Sequence, residues 1–415
     1  MNASESPHPL IDLAWIRQAS GAPDLPFQEC LWQADLVGPN ILFDVFYYRQ
    51  TYGHEMPAGM TCLEHFCRQS VDRPRNPNAL FSTRQWHETI GEHLADRTAW
   101  QNVLFRTLAD EARFSRDEQR KHETGAVILS NLELGPAPAA EETICLFAHY
   151  DLRSEVQDYV LDYIDAMRAQ GCCIVFLTSN SELTLEACSK LRGRVWRLVH
   201  CENLARDFGL YAIGVRLLDR LGVSGHSVIL ANDSVIGTMN SLAPLFEVAR
   251  SGRFDITGAV DCRLHNWHLQ SFFLYCTVDL VASDIWGGFW DAYKPHSDRW
   301  FVVNSHESGF SRWMNGRGVR MGSAWRYDEI IRNAAADWKM NNPQAHDWRT
   351  GVLKGDIPTN PSTELWEVML KAGFPFLKKA IFTTPLLSEN LLGICNVLSA
   401  RAPVAPGRPS SPHRN

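Results

Sequence analysis

The stretch Ser227-Val-Ile-Leu-Ala-Asn-Asp-Ser-Val-Ile-Gly237 combines the pattern of a buried strand with an unusual ending. Its apolar residues 228–231 run directly into Asn232, Asp233 and Ser234. A buried strand does not need a carboxylate at its end, whereas sites that bind a metal ion or a phosphate often have one there. The stretch therefore predicts a buried strand and a candidate site where that strand ends.

Three further apolar runs precede this strand, and helix-patterned segments separate them. We predict neighbouring parallel strands at residues 144–148, 173–178, 195–200 and 227–231. The first intervening segment carries its apolar residues at the spacing of one helix face, namely Val156, Tyr159, Val160, Tyr163, Ile164 and Met167. Alternating strands and helices are typical of βαβ units and of a parallel sheet covered on both faces.

The regular alternation ends after the fourth strand. A helix-patterned segment at 241–252 is followed in quick succession by two strand candidates, within residues 254–260 and 271–278. Because these strands follow each other without a full crossover helix, we expect a mixed sheet. The predicted fold class is α/β, with a Rossmann-type mixed sheet flanked by helices.

Composition shifts divide the chain into three parts. Residues 1–138 mix charged and aromatic residues without strand alternation, which predicts a mainly helical N-terminal extension. A Pro/Ala-rich link at 135–142 separates this extension from an α/β domain at 142–385. The Pro-rich residues 399–415 predict a disordered tail.

The composition also excludes several classes of protein. A net charge of −7 argues against nucleic-acid binding, which requires a basic surplus. The 11 Cys include no C-x-x-C pair, which is typical of reduced thiols in a cytosolic protein. The first residues lack the pattern of a signal peptide, and no apolar run approaches the roughly 18 residues of a membrane span. We therefore expect a soluble cytoplasmic protein.

Polar residues follow all four predicted parallel strands. Ligands bind outside the carboxyl ends of strands in open parallel sheets, so these residues form the candidate site. We expect the carboxylates of Asp151, Asp207 and Asp233 to line one cleft there. The chain has no G-x-G-x-x-G after the first strand, no P-loop, no H-E-x-x-H and no G-x-S-x-G, so the common dinucleotide, nucleotide-triphosphate, zinc-protease and serine-hydrolase motifs are absent.

Seven segments occur in an order that resembles a known family. These are ICLFAHYD, CCIVFLTSN, HCENLARDFGLY, VILANDSVIGTM, DITGAVD, HLQSFFL and GFPFLKK. Together they resemble the rhamnan synthesis protein F family of bacterial polysaccharide glycosyltransferases, over about residues 142–385. An earlier segment, at residues 43–81, is similar to a short motif found beside such enzymes, although Ser70-Val-Asp replaces the Gly usual before its Arg73-Pro74 element.

The resemblance implies a GT-A-like glycosyltransferase with its donor at the strand ends. In that scheme Asp233 stands where an Asp-x-Asp element would hold Mg²⁺ or Mn²⁺ on the donor diphosphate, with one carboxylate where the family pattern has two. The donor-binding residues implied are His149, Tyr150, Asp151, Asn180, Asn203, Arg206, Asp207, Asn232 and Ser234. The alternative interpretations are a helix or turn cap for Asp233 and a capped helix start for Arg206 and Asp207.

The resemblance places the catalytic base at Glu307, in a polar turn before an amphipathic segment. Asp261, Asp284 and His306 are alternative bases, and an acidic residue at a helix start is the structural alternative for Glu307 itself. His268 and Gln270 are implied acceptor-binding residues. The aromatic residues near the end of the domain, Trp366, Phe374 and Phe376, are expected to pack in the core. For Lys378 and Lys379 a position near phosphate or near an anionic membrane surface stays open, and a solvated pair is the favoured interpretation.

The expected function is transfer of a sugar from a nucleotide-sugar donor to a growing bacterial surface polysaccharide, with inversion in a single displacement. The family name suggests dTDP-L-rhamnose as donor and a lipid-linked glycan as acceptor, which implies transient contact with the inner membrane. Two other classes stay open: a non-catalytic glycan-binding or scaffolding protein, and a nucleotide-sugar hydrolase that uses Asp233 and a metal-bound water.

Overall fold

The strand predicted from residues 227–231 lies inside a nine-stranded mixed sheet. The computed structural model describes residues 8–202, 206–264, 266–337, 350–352, 354–357 and 359–382. Its strands are β1 (Ile128–Glu133), β2 (Thr143–His149), β3 (Cys172–Thr178), β4 (Arg197–Cys201), β5 (Val228–Asn232), β6 (Val235–Gly237), β7 (Ile256–Cys262), β8 (His268–Leu269), β9 (Phe273–Cys276), β10 (Met321–Trp325) and β11 (Phe376–Lys378).

The four predicted parallel strands are confirmed as neighbours. The sheet has the order β1-β4-β3-β2-β5-β9-β7-β10, and β8 pairs with β7. Strands β2 to β5 pair in parallel, whereas β1, β8 and β9 run antiparallel to their partners. The sheet is therefore mixed, as the broken alternation after β5 predicts. A separate two-stranded sheet joins β6 to β11.

Helices cover both faces of the sheet and form most of the N-terminal region. They are α1 (Leu13–Ala19), α2 (Phe27–Val37), α3 (Val45–Tyr52), α4 (Cys62–Cys67), α5 (Thr83–Thr89), α6 (Trp100–Thr124), α7 (Asp158–Ala169), α8 (Leu185–Leu191), α9 (Arg206–Arg220), α10 (Ala243–Arg250), α11 (Val278–Val281), α12 (Asp284–Ala292), α13 (Arg299–Val302), α14 (Ser308–Asn315) and α15 (Tyr327–Asp337). Two short helices, Pro361–Glu364 and Trp366–Lys371, precede β11.

Two apolar cores sandwich the sheet. Alternate residues of β2 point to opposite faces, so Leu146 packs under α9 while Phe147 packs under α7. Every residue of β2, β3 and β5 is buried, as expected for central strands covered on both faces. The buried strands end in the polar residues that were predicted to form the site.

The N-terminal region has its own core and one strand that the sequence does not reveal. Its apolar cluster includes Tyr48, Phe66 and Leu104, together with Phe301 of α13. Strand β1, which pairs antiparallel with β4, lies within the region predicted to be mainly helical and was not predicted. Most side chains of this edge strand are exposed, so it has no two-residue apolar alternation to recognise. The predicted division near residues 138–142 stays a prediction, and the predicted tail 399–415 lies outside the described residues.

Buried polar contacts fasten the N-terminal region to α14 and the turn before it. The side chain of Asn304 accepts a hydrogen bond from the Ser82 amide at 2.8 Å and donates to the Ser82 carbonyl at 2.9 Å. A Cβ added at Gly309 would lie 2.9 Å from the Leu80 carbonyl oxygen, so glycine permits the close approach. In the described ranges, no helix is both long and apolar enough to cross a membrane.

Gly309→Ala tests this close approach. The added methyl group meets backbone that cannot rotate away, so we expect the free energy of unfolding to fall by about 1–3 kcal/mol. Gly287→Ala is the matched control, because its Cβ meets nothing within 4 Å on α12 and should stabilise that helix by about 0.5–1 kcal/mol. Urea denaturation of both variants measures the difference; equal effects would contradict the packing described.

Candidate functional site

A cavity of about 580 Å³ opens at the carboxyl ends of the parallel strands. Strand pairing aligns these ends, because His149 lies opposite Thr178 and Ala148 lies opposite Asn232. The residues that line the cavity include Phe114, Tyr150, Ser179, Arg206, Asp207, Asn232, Ser234, Ser271, His296, Arg299, Glu307 and Lys378. Five of the predicted donor-binding residues are among them: Tyr150, Arg206, Asp207, Asn232 and Ser234.

The turn after β5 is held by Asn232 and not by Asp233. The Oδ1 atom of Asn232 accepts a hydrogen bond from the Ser234 amide at 3.0 Å, which closes a turn of the Asx type. Its Nδ2 atom donates to Oδ2 of Asp207 at 2.7 Å. Both ends of the Asn232 amide are therefore committed, and Asp233 is left available for a charged partner.

That charged partner is Lys379. Its Nζ atom lies 3.0 Å from Oδ2 of Asp233 and donates to the Tyr159 hydroxyl at 2.9 Å. The Asp233 carboxylate is largely buried, with 10% of its side chain exposed, so the ammonium group compensates a charge that water reaches poorly. Residue 379 follows β11, which pairs antiparallel with β6 directly beyond Ser234.

Lys378 points its charge toward the cavity. Its Nζ atom lies 3.5 Å from Oγ of Ser234 and 4.7 Å from the ring centre of Phe272. Burial lowers the pKa of Lys378, and the negative charges of Glu307 and Asp207 oppose that shift. The interpretation of Lys378 and Lys379 as a solvated pair is wrong, because Lys378 lines the cavity with Asp207 and Glu307 and the Lys379 ammonium group is paired with Asp233.

Asp207 is a buried carboxyl group with an altered titration. Burial raises the pKa of Asp207 to about 7, and the nearby charges of Asp233 and Glu307 add to the increase. Lys378 and Arg206 partly oppose it. A carboxyl group that titrates near neutral pH at the wall of a cavity is typical of functional sites. Arg206, at the start of α9, has a left-handed backbone with φ of 55°.

Glu307 lies on the opposite wall, in a turn with π-helical hydrogen bonding at Val303–Glu307. Its Oε1 atom accepts hydrogen bonds from the amide of Ser271 at 3.3 Å and from its hydroxyl at 3.0 Å. The expected polar turn at a helix start is wrong, since α13, the π turn and α14 form a continuous helical segment. Such π turns occur frequently at functional sites.

The three alternative bases lie elsewhere or are engaged. Asp261 accepts hydrogen bonds from the Ser323 hydroxyl, the Tyr327 amide and the indole of Trp267. His306 is fully buried and its Nε2 atom pairs with the Lys294 carbonyl at 2.9 Å. Asp284 lies in the first turn of α12. None of the three lines the cavity that holds Glu307.

Three predicted donor-binding residues connect the strand ends below the cavity. The Nδ1 atom of His149 lies 3.1 Å from Oγ1 of Thr178, and the histidine is buried. Asn180 accepts a hydrogen bond from the Asp151 amide at 2.8 Å, and Asp151 in turn accepts one from the Arg153 amide. Of the three carboxylates expected in one cleft, Asp207 lines the cavity. Asp151 and Asp233 do not line it; Asp151 accepts a hydrogen bond from the Arg153 amide, and Asp233 is paired with Lys379. Asn203 lies outside the described residues.

The two predicted acceptor-binding residues have intramolecular partners. The Nδ1 atom of His268 lies 2.9 Å from the Asn266 carbonyl. Gln270 donates to Asn360 at 2.8 Å and accepts from the Ser362 hydroxyl at 2.7 Å. Neither residue lines the cavity beside Glu307. Their role in acceptor binding stays a prediction.

These residues can now be compared with those of known proteins. A family model described as rhamnan synthesis protein F matches residues 175–397, more than half of the chain. The chain belongs to the rhamnan synthesis protein F family. Membership implies a role in polysaccharide biosynthesis. The resemblance stated from seven sequence segments is confirmed, and the matched part contains Asp207, Asp233, Glu307 and Lys378.

Individual relatives are more distant. The chain is 26% identical over 191 residues to a protein of Vibrio anguillarum named Virulence protein VirA, which covers 43% of this chain and 60% of that protein. It is 22% identical over 162 residues to Uncharacterized protein y4gN of Sinorhizobium fredii, covering 38% of this chain and 42% of that protein. The chain therefore spans less than two thirds of these relatives. No solved structure matches the chain significantly.

The side chains present do not form a ready site for Mg²⁺ or Mn²⁺. The Asp233 carboxylate, which the resemblance assigns to the metal, is paired with Lys379, and both polar atoms of the Asn232 amide are engaged. Across the described residues, no three His, Cys, Asp or Glu side chains are arranged to hold a metal ion.

The structure adds two residues to the site of this family member that were not predicted, Arg299 and His296. It also places Lys378 in the cavity and Lys379 on Asp233, although the sequence favoured a solvated pair for these lysines. The segment Gly373-Phe-Pro-Phe-Leu-Lys-Lys379 was part of the family resemblance, so a signal existed for the two lysines. No local pattern shows that this segment pairs with the turn after β5, more than a hundred residues earlier. Arg299 and His296 carried no signal of their own.

Asp207→Asn tests the altered titration of Asp207. The pKa rises from 3.8 in an unfolded chain to about 7, so between about pH 4 and 7 the folded chain holds a proton that the unfolded chain has lost. The parent should therefore lose folding stability as pH rises through this window, by at most about 4 kcal/mol for about three pKa units. The variant lacks this loss.

Urea denaturation at several pH values measures the difference in free energy of unfolding between variant and parent. We expect the difference to shift in favour of Asp207→Asn from pH 4 to pH 7 and to stay constant above pH 7. Asp328→Asn, which removes a half-exposed carboxylate paired with Arg263, is the matched control. A pH-independent difference for Asp207→Asn would contradict the raised pKa.

Proposed function

We propose that this protein is a glycosyltransferase of polysaccharide synthesis, with its reaction centre in the cavity at the strand ends. One observation carries the proposal: the carboxylates of Asp207 and Glu307 and the ammonium group of Lys378 line the same cavity. Sugar transfer from a nucleotide diphosphate needs a carboxylate to accept a proton and a cation to stabilise the leaving diphosphate. The described site offers both.

The donor diphosphate would be held by cationic side chains. Lys378 is half-buried beside Ser234, and Arg206 and Arg299 line the same cavity. The turn that Asn232 and Ser234 close directly after β5 lines the same cavity. A phosphate oxygen next to Lys378 would compensate the ammonium charge that burial now disfavours. The turn after β5 thus supports a diphosphate site.

The proposed reaction is an inverting single displacement. An acceptor hydroxyl oxygen attacks the anomeric carbon as the bond from that carbon to the diphosphate oxygen breaks. The hydroxyl proton moves to the carboxylate of Glu307, and the electron pair of the broken bond stays with the diphosphate next to Lys378. Ser271 orients the Glu307 carboxylate through two hydrogen bonds to one oxygen, which leaves Oε2 for the proton.

The donor sugar and the acceptor follow from the family and not from a contact. We propose dTDP-L-rhamnose as donor, a lipid-linked glycan as acceptor, and a GT-A-like arrangement of the donor domain. We also propose a cytoplasmic location with transient contact at the inner membrane. Mg²⁺ or Mn²⁺ bound at Asp233 stays a prediction, and it would have to displace Lys379 from that carboxylate.

Two other classes of function make different predictions. A glycan-binding scaffold would bind acceptor but release no nucleotide from a nucleotide sugar. A nucleotide-sugar hydrolase would release nucleotide at the same rate with and without acceptor. A transferase releases nucleotide only as fast as the acceptor gains sugar, apart from slow background hydrolysis. Nucleotide release with and without acceptor glycan distinguishes all three.

Asp233→Asn and Glu307→Gln separate donor binding from proton transfer. Asp233 holds Lys379 and, through it, the end of β11 that carries Lys378, so Asp233→Asn should misplace the Lys378 ammonium group, weaken donor binding and slow transfer about a hundredfold. Glu307→Gln should keep donor affinity and lower turnover by about 10²–10⁴. Calorimetry of nucleotide-sugar binding, with and without Mn²⁺, and a transfer assay measure the two effects. Parent-like binding and transfer by Asp233→Asn would refute its role.

Lys378→Met tests the cationic part of the site. Methionine keeps the apolar stem against Phe272 and removes the charge, so folding should persist while donor affinity falls about tenfold or more. Lys190→Met, on α8 with its ammonium group on Glu186, is the control and should bind donor like the parent. Unchanged affinity in Lys378→Met would place the diphosphate elsewhere.

A further inference from the structure

A second cavity, of about 590 Å³, adjoins the π turn that carries Glu307. Val303 and Glu307 of this turn line the cavity at the strand ends, whereas Ser305 and His306 line the second cavity. The facing wall comes from the N-terminal region, mainly from α2, α3 and residues 78–80. This wall precedes residue 175, where the family match begins, so the match does not account for it.

Two buried polar atoms at this cavity, one acceptor and one donor, have no partner. The Nε2 atom of the fully buried His306 donates to the Lys294 carbonyl at 2.9 Å, so its Nδ1 atom is an acceptor. The indole Nε1 atom of Trp15 is a donor. Neither Nδ1 of His306 nor Nε1 of Trp15 has a hydrogen-bond partner among the described residues, and both residues line the cavity. Leaving such groups unpaired costs free energy, which a ligand that both donates and accepts would recover.

The charged groups around the cavity have both signs. Burial lowers the pKa of Lys294, and nearby carboxylates, among them Asp291 and Asp44, oppose that shift. All three residues line the cavity. The carboxylates disfavour an anion and the ammonium group disfavours a cation, so the cavity is suited to a neutral polar ligand.

The remaining lining is apolar, and part of it is open to solvent. It includes Leu36, Val37, Ile41, Leu42, Phe43, Val45 and Phe46. Phe46 is 73% exposed although it lines the cavity, so its ring is accessible to a ligand at the entrance. Small-molecule sites combine such a lining with a few polar groups that fix orientation. A sugar ring has the matching chemistry, because its C–H groups are apolar and each of its hydroxyl groups both donates and accepts.

We propose that this cavity binds neutral sugar units of the acceptor glycan. Hydroxyl groups would donate to Nδ1 of His306 and to the Asp291 carboxylate and accept from the Trp15 indole, while a C–H face packs on Phe46. His296 lines both cavities, so a glycan bound here lies next to the cavity that holds Glu307. The term acceptor rests on the proposed function, whereas the binding of a neutral glycan requires no transfer.

Calorimetry of the full chain, without nucleotide sugar, tests the site with three neutral trisaccharides built from rhamnose, mannose or glucose. We expect binding of at least one, and Phe46→Ala should weaken it about tenfold or more because the sugar loses the aromatic ring. Trp32→Ala is the matched control, since this aromatic residue is 82% exposed on α2 and lines neither cavity. Trp15→Phe keeps an aromatic ring and removes the N–H donor, so it should weaken the same trisaccharide about threefold to tenfold.

Four results would overturn the proposal. These are no binding of any of the three trisaccharides to the parent, parent-like binding by Phe46→Ala, an equal loss in Trp32→Ala, or tighter binding of trigalacturonic acid, whose negative charges the carboxylates of the cavity oppose.

A transfer assay keeps failure of this site separate from failure of the proposed function. In a parent that transfers sugar, Phe46→Ala should raise the KM for acceptor about tenfold and leave donor affinity unchanged, because Phe46 does not line the cavity that holds Glu307. A parent-like KM for acceptor in this variant would overturn the glycan site and leave the transferase intact. A parent that transfers no sugar but binds trisaccharide, with the loss in Phe46→Ala, would support the site and refute the transferase.

Discussion

Arg312 of α14 connects the N-terminal region to the segment that carries Glu307. Its guanidinium group donates to the carbonyl of Leu80, to the side chain of Gln85 at 2.7 Å and to the carbonyl of Asn304 at 2.6 Å. Burial lowers its pKa to about 10, so it stays charged at neutral pH. A buried charge that satisfies three oxygens from two parts of the molecule is costly to separate, since each oxygen and the guanidinium would lose its partner. This contact fixes the π turn and therefore the wall that Glu307 forms in the cavity at the strand ends.

The charges in the cavity at the strand ends depend on the position of this π turn. Asp207 and Glu307 approach from α9 and from the π turn, and Lys378 enters between them from β11. Removal from water is the largest cause of both the raised pKa of Asp207 and the lowered pKa of Lys378. The negative charges of Asp233 and Glu307 raise the pKa of Asp207 further, and opposite charges nearby moderate both shifts. A bound diphosphate would change this balance, because it adds negative charge next to Lys378. The cavity thus presents an ammonium group, that of Lys378, to an anion, and it presents the carboxyl groups of Asp207 and Glu307 to a proton.

The sequence predicted the sheet well because its signals are local. Apolar runs of five to seven residues, separated by helix-patterned segments, predict the strands β2 to β5 and the polar residues that follow each of them. The polar strand ends indicated Asp207, Asn232 and Ser234, and the family resemblance indicated Glu307; all four line the cavity. For Asp233 the sequence offered a metal ligand or a turn cap. The cap is Asn232, and Asp233 pairs with a lysine that lies 146 residues later in the chain. Strand pairing at that distance has no local pattern, and neither does the exposed edge strand β1.

The N-terminal region contributes to two cavities. One is the cavity that holds Glu307, and the other, of about 590 Å³, lies between the N-terminal helices and residues 291–317. Glu111 of α6 accepts hydrogen bonds from the amide and hydroxyl of Ser297 and from the Asp298 amide, and its Oε2 atom lies 3.3 Å from Nδ1 of His296. Burial alone would raise the pKa of Glu111, but these donors outweigh it and lower the pKa. A carboxylate kept ionised inside the protein thus holds the loop at His296, the residue common to both cavities. Glu111 lies before residue 175, where the family match begins, so residues outside that match shape the place where the two cavities meet. Changes in the N-terminal helices can therefore alter what reaches the carboxylates without altering the carboxylates themselves.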